Sequence, residues 1–483
     1  MMPLSVAELA AAIGCPPPAT GADAQVTAVV IDSRAVVPGA VFVAFAGEHV
    51  DGHDYVDQAW QRGAVAAVTA RPVSGGPCLV VPDPQAALGQ IGAEVVRRAR
   101  RTGLRVVGIT GSQGKTSTKD LLAQVLEADG STIAPRGSLN NEIGVPLTAT
   151  GVEPSTRYLV SEMGARGVGH IAYLCQLTPP DVGVVLNVGH AHLGEFGSQQ
   201  RIALAKGELV EALPADGTAV LNADDPLVSA MRNRTRARVL TFSTQDPSAD
   251  VWAGDAAGDD LGRYSFTLHA GDRRAEVRLR LLGRHQVPNA VAAAVAATAL
   301  GVDLDRIASA LSAAGLRSRW RMEISERPDG VVVVNDAYNA NPDSMLAALQ
   351  TLAELGHSRR RRYPQARTWA VLGEMLELGD GSEAEHRAIG AAAAALGISR
   401  VVVIGDAARG ISVGAGRPDA RDGAGPGLSG EEALFVHDKA AAVPVLVERL
   451  REGDIVLVKA SRGVGLETVA DALLAASAVE ASR

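Results

Sequence analysis

The sequence predicts an α/β protein of three domains: a small N-terminal α/β domain over residues 1–103, a central domain with a mostly parallel sheet over 104–316, and a C-terminal Rossmann-like, doubly wound domain over 317–483. Three observations carry this reading. A chain of 483 residues is too long for one ordinary core. After Leu104, apolar runs of strand length alternate with stretches of helix length, as in parallel sheets covered on both faces. The alternation breaks near Leu316 and starts again, which separates two such units.

The opening "MMPLSVAELAAAIGCPPP" has no basic leader and carries Glu8 within its apolar stretch, so it reads as a short amphipathic helix and not a secretion signal. The runs "VTAVVID", "AVFVAF", "AVAAVTA" and "CLVV" follow as short strands between Pro/Gly/Asp turns, and the stretch holding Ser33, Arg34 and Gly47 reads as polar loops around a β-hairpin. A helix over "PQAALGQIGAEVVRRARR" ends at Gly103, the first boundary.

In the central domain "RVVGIT", "RYLVSEM", "DVGVVLNV", "TAVLNAD" and "RVLTFS" are strands, while "RYSFTLHAGDRRAEVRLRLLG" alternates with period two and reads as an antiparallel addition. The run Ala290–Leu300 is too short and alanine-rich to span a bilayer, so it reads as a buried helix. In the last domain "DGVVVVND", "TWAVLG", "RVVVIG", "EALFVH" and "DIVLVKAS" alternate with helices from Pro342 to Leu355 and from Glu383 to Leu396. "HSRRRRYPQAR" and "GAGRPDARDGAGPGLSGEE" read as surface loops.

Composition narrows function. A net charge of −8 and 3% aromatics leave neither the basic footprint nor the stacking platforms of a nucleic-acid binder. Cys15, Cys78 and Cys175 show no metal-ligand spacing, so a reducing, cytoplasmic location is expected.

The clearest motif is "RVVGITGSQGKTSTKDLL", from Arg105 to Leu122: a strand, a glycine-rich turn and a helix start. The strict phosphate-loop pattern wants glycine where Ile109 stands. The context compensates, because Thr110, Gly111, Ser112, Gln113 and Gly114 turn out of a strand, and Lys115, Thr116 and Ser117 open a helix. Backbone N–H groups and the helix N-terminus favour phosphate, Lys115 neutralises it, and Thr116 can reach a Mg²⁺ ion. A P-loop ATPase-like central domain follows.

Other candidates sit at strand ends. Glu162 closes "RYLVSE" as a Mg²⁺ ligand or a loop charge; Asn187, His190 and His192 follow another strand, with histidine the less natural partner of a hard ion. Lys206 lies on a helix and reads as a solvent-facing lysine. His285 and Asn289 stand at the mouth of the alanine-rich helix, where the amide could read a base edge or cap the helix. Asn335 and Asp336 suit a turn or ribose hydroxyls, while Lys459, Ser461 and Arg462 suit a carboxylate.

Taken in order, "DSRAVVPGAVFVAFAGEHVDGHDY", "GITGSQGKTSTKD", "NNEIGVPLT", "SEMGA", "NVGHAHLGEFGS", "AKGE", "HQVPNAVAA", "DAYNANP", "VLGEMLELG" with His386, and "VLVKASRG" resemble the Mur ligase family over nearly the whole chain. "DAYNANP" and "LGEMLELG" are similar to its dipeptide-adding type. The resemblance implies ATP and Mg²⁺ as cofactors, with UDP-N-acetylmuramoyl-tripeptide and D-alanyl-D-alanine as partners of a monomer. It implies Lys115 on the β- and γ-phosphates; Thr116, Glu162 and His192 around Mg²⁺; and Lys206 as a carbamylated lysine helping to hold a second ion. Asn289 would lie by adenine, Arg321 by the phosphates and Asp336 by the ribose, although Arg317, Arg319 and Arg321 are so close that the register stays open. The dipeptide would meet Tyr338, Asn339, Lys459, Ser461 and Arg462; the other substrate would meet Asn140 and Asn141, its uridine end lying near Ser33, Arg34 and Gly47. Gln286 and Ala460 depart from the asparagine and glycine the family often has there.

The implied reaction is peptide-bond formation through an acyl phosphate. Two other readings compete: a sister amide ligase, adding one amino acid or extending a folylpolyglutamate, and a non-catalytic ATP-binding regulator.

Overall fold

The computed structural model describes residues 1–47, 50–189, 196–416 and 432–480. Near the N-terminus, Leu4–Ser5 pairs with Gln25–Val26, and the helix Val6–Ala12 starts with a capping box between Ser5 and Glu8. A four-stranded sheet follows in the order Ala28–Val30, Ala40–Val43, Ala66–Thr69, Cys78–Val80, parallel throughout. The expected hairpin around Ser33 is therefore wrong. Asp32 caps a 3-10 turn over Ser33–Ala35, which carries the chain across to a parallel neighbour instead of folding it back.

The helix Pro84–Arg100 leads into the central sheet. Its nine strands run in the order Arg273–Leu282, Arg263–Ala270, Val251–Gly258, Arg238–Ser243, Thr218–Asn222, Val182–Val185, Arg105–Thr110, Tyr158–Glu162, Thr132–Ile133. The first two joints are antiparallel and the rest parallel, so the expected antiparallel addition forms one edge. One face buries the helix Lys115–Glu127 against the alanine-rich helix Gln286–Ala299. Small side chains let these two helices approach closely.

The opposite face carries the helix Gln199–Glu211. It seats on two glycines: a Cβ on Gly108 would lie 2.8 Å from Leu209, and one on Gly183 would lie 3.1 Å from it. Burial of Leu209 contributes about 2 kcal/mol, and the close seat presses the rest of the helix toward the strand ends.

The third sheet has six strands in the order Glu323–Glu326, Val332–Asn335, Ile455–Lys459, Thr368–Leu372, Arg400–Ile404, Ala433–Val436, all parallel except the first. The strand Glu323–Glu326 was not foreseen. The helix expected to end at Leu355 runs from Pro342 to Arg360, so part of "HSRRRRYPQAR" is helix and not loop. Most of the glycine-rich stretch after Ala415 lies outside the described residues. Among them, no helix is long and apolar enough to cross a membrane.

Candidate active site

In parallel sheets the strands deliver functional groups at their carboxyl ends. Two sheets here turn those ends toward a shared cavity of about 730 Å³. From the central sheet come the phosphate loop, Glu162 one strand away from it, Asn187 and Asp224; from the third sheet come Asp336, Lys459 and Ser461.

The phosphate loop is held in shape by its neighbour. Asn187 accepts from Gln113 N through Oδ1 at 3.0 Å and from Ser112 N through its carbonyl at 3.1 Å, and Gly189 N donates to Ser112 Oγ at 2.9 Å. Gly114 opens the helix Lys115–Glu127 at φ +81°, a backbone conformation that suits glycine. A Cβ there would lie 2.5 Å from Asn289 Oδ1, so the amide lies directly over the loop. Gln286 orients it: Asn289 Nδ2 donates to Gln286 Oε1 at 3.1 Å. Thr110 and Gly111 lie behind the cavity wall, and Ser117 lines it.

Lys115 Nζ donates to Gly111 O at 2.6 Å. Burial holds its pKa below the usual lysine value, nearby Glu162 opposes that shift and Arg321 adds to it. Glu162 is 1% exposed; Asn140 Nδ2 donates to its Oε1 at 2.8 Å, while Oε2 has no hydrogen-bond partner. A buried carboxylate oxygen without a donor is costly unless something positive meets it. The Thr116 hydroxyl bonds Ser138 Oγ at 2.7 Å, and Arg321 Nη2 donates to the same oxygen at 2.8 Å. Thus Ser138 ties the third domain's arginine to the phosphate-loop helix.

Lys206 lines the cavity rather than solvent. It is 4% exposed and has no hydrogen-bond or ion-pair partner among the described residues. Burial, with Lys115 nearby, holds its amine well below the usual lysine range. His190 and His192 lie outside the described residues.

Across the cavity, Lys459 Nζ bonds Asp336 Oδ2 at 2.6 Å and Asn339 O at 2.8 Å, so these two candidates neutralise each other. Arg321 stacks over Tyr338 at 4.1 Å, and Arg462 over Trp320 at 4.3 Å. Arg321 faces the cavity, while Arg317 is bound to Glu127 on the surface. Ala460 fits because Gly373 faces its methyl, 2.9 Å from an added Cβ.

The cavity thus gathers most of the sequence candidates of the central and third domains that the structure describes; Thr110, Gly111, Asn335, Arg317 and Arg319 do not line it. Ser33, Arg34 and Gly47 lie in the turns that follow strands of the N-terminal four-stranded sheet and do not line the cavity. Ser33 Oγ donates to Gln58 at 2.6 Å, Arg34 folds onto Asp32, and Gly47 N bonds Val50 O. Asn141 lines the cavity while its Oδ1 caps Gly144 N at 2.9 Å. Ser138 and Asp224 were missed: Ser138 stands in no pattern that marks it, while Asp224, the acid at the end of "TAVLNAD", carries the same strand-end signal as Glu162.

A phosphate loop on one sheet, facing cationic strand ends of a second doubly wound sheet, defines a multidomain nucleotide-binding α/β protein. Its family patterns narrow the class: "Mur ligase family, catalytic domain" matches residues 25–108, "Mur ligase middle domain" 109–297 and "Mur ligase, glutamate ligase domain" 320–462. The chain belongs to the Mur ligase family. It is 46% identical to UDP-N-acetylmuramoyl-tripeptide--D-alanyl-D-alanine ligase of Mycobacterium tuberculosis (strain ATCC 25618 / H37Rv), over 98% of both chains. Its structure resembles MurF from Acinetobacter baumannii, with a TM-score of 0.85 at 30% identity, covering 98% of this chain and 99% of that one. It also resembles MurF ligase from Thermotoga maritima in complex with ADP, with a TM-score of 0.78 at 30% identity, covering 94% and 98%.

Proposed function

We propose that this protein is an ATP-dependent ligase that joins D-alanyl-D-alanine to UDP-N-acetylmuramoyl-tripeptide, giving the pentapeptide precursor of peptidoglycan. The observation that carries this reading is the single cavity in which a phosphate loop faces the cationic strand ends of another domain, in a chain 46% identical over nearly its full length to a ligase of that name. Residues 1–103 would hold the uridine end near Ser33, Arg34 and Gly47, residues 104–316 the ATP, and residues 317–483 the dipeptide. The reading is of a cytoplasmic monomer.

The tripeptide carboxylate attacks the γ-phosphorus, ADP leaves, and an acyl phosphate forms. The dipeptide amine then attacks the activated carbonyl, and phosphate departs. Three anionic groups must meet in the first step, and the chain supplies Lys115 and Arg321 to neutralise them. The orphaned Glu162 Oε2 and the Thr116 hydroxyl are hard oxygen donors that fit Mg²⁺, with His192 as a further ligand. When bound, the ion offsets phosphate charge. An uncharged, buried Lys206 amine can add CO₂ and lose a proton, becoming a carbamate whose oxygens also suit Mg²⁺. Asn289 would read the adenine edge and Asp336 would meet the ribose, while Tyr338, Asn339, Lys459, Ser461 and Arg462 would form the acceptor side, where Arg462, half exposed and paired with Glu467, is the cation nearest solvent for a dipeptide carboxylate. Asn140 and Asn141 flank the tripeptide end.

The test is phosphate release from Mg·ATP with each acceptor alone and both together, with the product mass read. Release that needs both, with a pentapeptide product, is expected; release with a single amino acid would move the protein to a sister ligase, and release independent of both would leave a nucleotide-binding regulator. A second expected outcome concerns the loop itself. Gly114→Ala adds a methyl against Asn289 at a left-handed backbone position, and should weaken ADP binding about tenfold or more in a calorimetric titration. An unchanged Kd would show that Asn289 and the loop move apart freely.

A further inference from the structure

The turn that follows the strand Thr368–Leu372 carries an apolar side chain in an unusual place. Leu376 is 41% exposed and, among the described residues, is the one large exposed hydrophobic side chain that lines the cavity. Its neighbours Met375 and Leu378 are buried in the core of the third domain, so the turn is anchored on both sides while Leu376 points outward. A Cβ on Gly463 would lie 3.2 Å from Leu376 Cδ1, which sets the leucine beside Arg462 and Ser461. Glu377 follows it at φ +65°, a conformation a non-glycine residue adopts only when its surroundings impose it.

Two hydrogen bonds hold the residues just before it. Leu376 N donates to Ser461 Oγ at 2.9 Å, and Met375 N donates to His386 Nε2 at 2.9 Å. Because a backbone N–H can only donate, Nε2 must be the unprotonated nitrogen. The proton then sits on Nδ1, which bonds Ser382 O at 2.7 Å. His386 is fully buried and does not line the cavity. Ser461 N also donates to Glu374 O at 2.9 Å, so the end of the strand Ile455–Lys459 and the turn are stitched together.

We propose that Leu376 is a specificity-determining residue of the acceptor site: an apolar wall that limits the side chain on the C-terminal residue of the incoming dipeptide. His386 is the positioning residue that holds this wall. The inference rests on the ligase reading and deepens it. Arg462 is half exposed and paired with Glu467 at 2.6 Å, so a dipeptide carboxylate beside it would share the guanidinium; a residue no larger than alanine then leaves its methyl group facing the Leu376 wall, and a bulkier residue collides with it.

The experiment compares D-alanyl-D-alanine with D-alanyl-D-leucine as acceptors in tripeptide-dependent phosphate release. In the wild-type protein the first is expected to be strongly preferred. Leu376→Ala should raise the kcat/KM ratio in favour of D-alanyl-D-leucine by about tenfold or more, as expected when a pocket gains the space of several methylene groups. His386→Ala should raise KM for D-alanyl-D-alanine about tenfold with KM for ATP little changed, and His386→Gln, which keeps an acceptor near the Nε2 position, should recover most of the loss. An unchanged acceptor ratio in Leu376→Ala overturns the proposal. So does a His386→Ala protein whose ATP and dipeptide KM values rise together, or that His386→Gln does not rescue. If the wild-type protein itself releases no phosphate with either dipeptide, the ligase reading fails instead.

Discussion

Replacing Lys206 with alanine is expected to lower dipeptide-dependent phosphate release by about 10³-fold, and a short-chain carboxylate such as formate is expected to restore part of it. Lys206 is buried, has no partner among the described residues, and lies near Lys115. A second ammonium buried beside Lys115, with no counter-charge of its own, would cost several kcal/mol, and the cost falls away if Lys206 is uncharged. A neutral amine is also the form that adds CO₂. The resulting carbamate reverses the local charge, so it attracts Lys115 where an ammonium would repel it. Three results follow from this. Wild-type activity should fall in CO₂-depleted buffer and return with bicarbonate. Acidification, which protonates the amine, should favour loss of the carbamate. Lys206→Arg, which keeps a cation and cannot form the carbamate, should be as inactive as the alanine variant. An active Lys206→Arg protein, or activity indifferent to bicarbonate with no rescue of Lys206→Ala, would remove the carbamate from the mechanism.

Asp454→Ala is expected to destabilise the third domain by about 3–5 kcal/mol. Asp454 is fully buried at the start of the strand Ile455–Lys459. Its carboxylate accepts from Arg367 Nη2 at 2.7 Å, Arg367 N at 2.8 Å, Trp369 Nε1 at 3.0 Å and Arg451 N at 3.1 Å. Truncation strands the indole N–H and two backbone donors inside the protein and leaves a guanidinium without its counter-charge. A three-domain chain need not unfold in one step, so the effect is best read locally. Hydrogen exchange in Thr368–Leu372 and Ile455–Lys459 should report a lower opening free energy, with the central strand Arg105–Thr110 little changed. A loss under about 1 kcal/mol would mean that water replaces the carboxylate at little cost.

The parts of the site that the sequence made legible are those whose meaning is local. The phosphate loop needs only a strand, a turn and a helix in succession, and Ile109 at the formal glycine position is a buried residue of that strand. Lys206 is the opposite case. On a helix with no visible partner it reads as a surface lysine, and its burial comes from Leu209 seating on Gly108 and Gly183, contacts far apart in the chain. The family resemblance drew attention to it where the residue types did not. Ser138 has no local signal at all, since its role is to join Thr116 and Arg321 from separate domains. Two element assignments failed for physical reasons. "VVPGA" has the residues of a tight turn, yet the 3-10 turn capped by Asp32 had already redirected the chain. The arginines after Leu355 read as a solvated loop, although arginine favours helices and suits a helix C-terminus.

The position of Ile455–Lys459 within the third sheet has a consequence for how the protein is made. Among the described residues this strand follows the other five of its sheet in chain order, yet it lies between Val332–Asn335 and Thr368–Leu372. Until it arrives, the two flanking strands have no shared partner, and the growing chain carries unpaired edges of the kind that invite aggregation. The third domain therefore cannot mature from its N-terminal end as synthesis proceeds. Lys459 and Ser461 reach the cavity only with that final insertion, so a prematurely terminated chain can complete its phosphate loop but not its acceptor side.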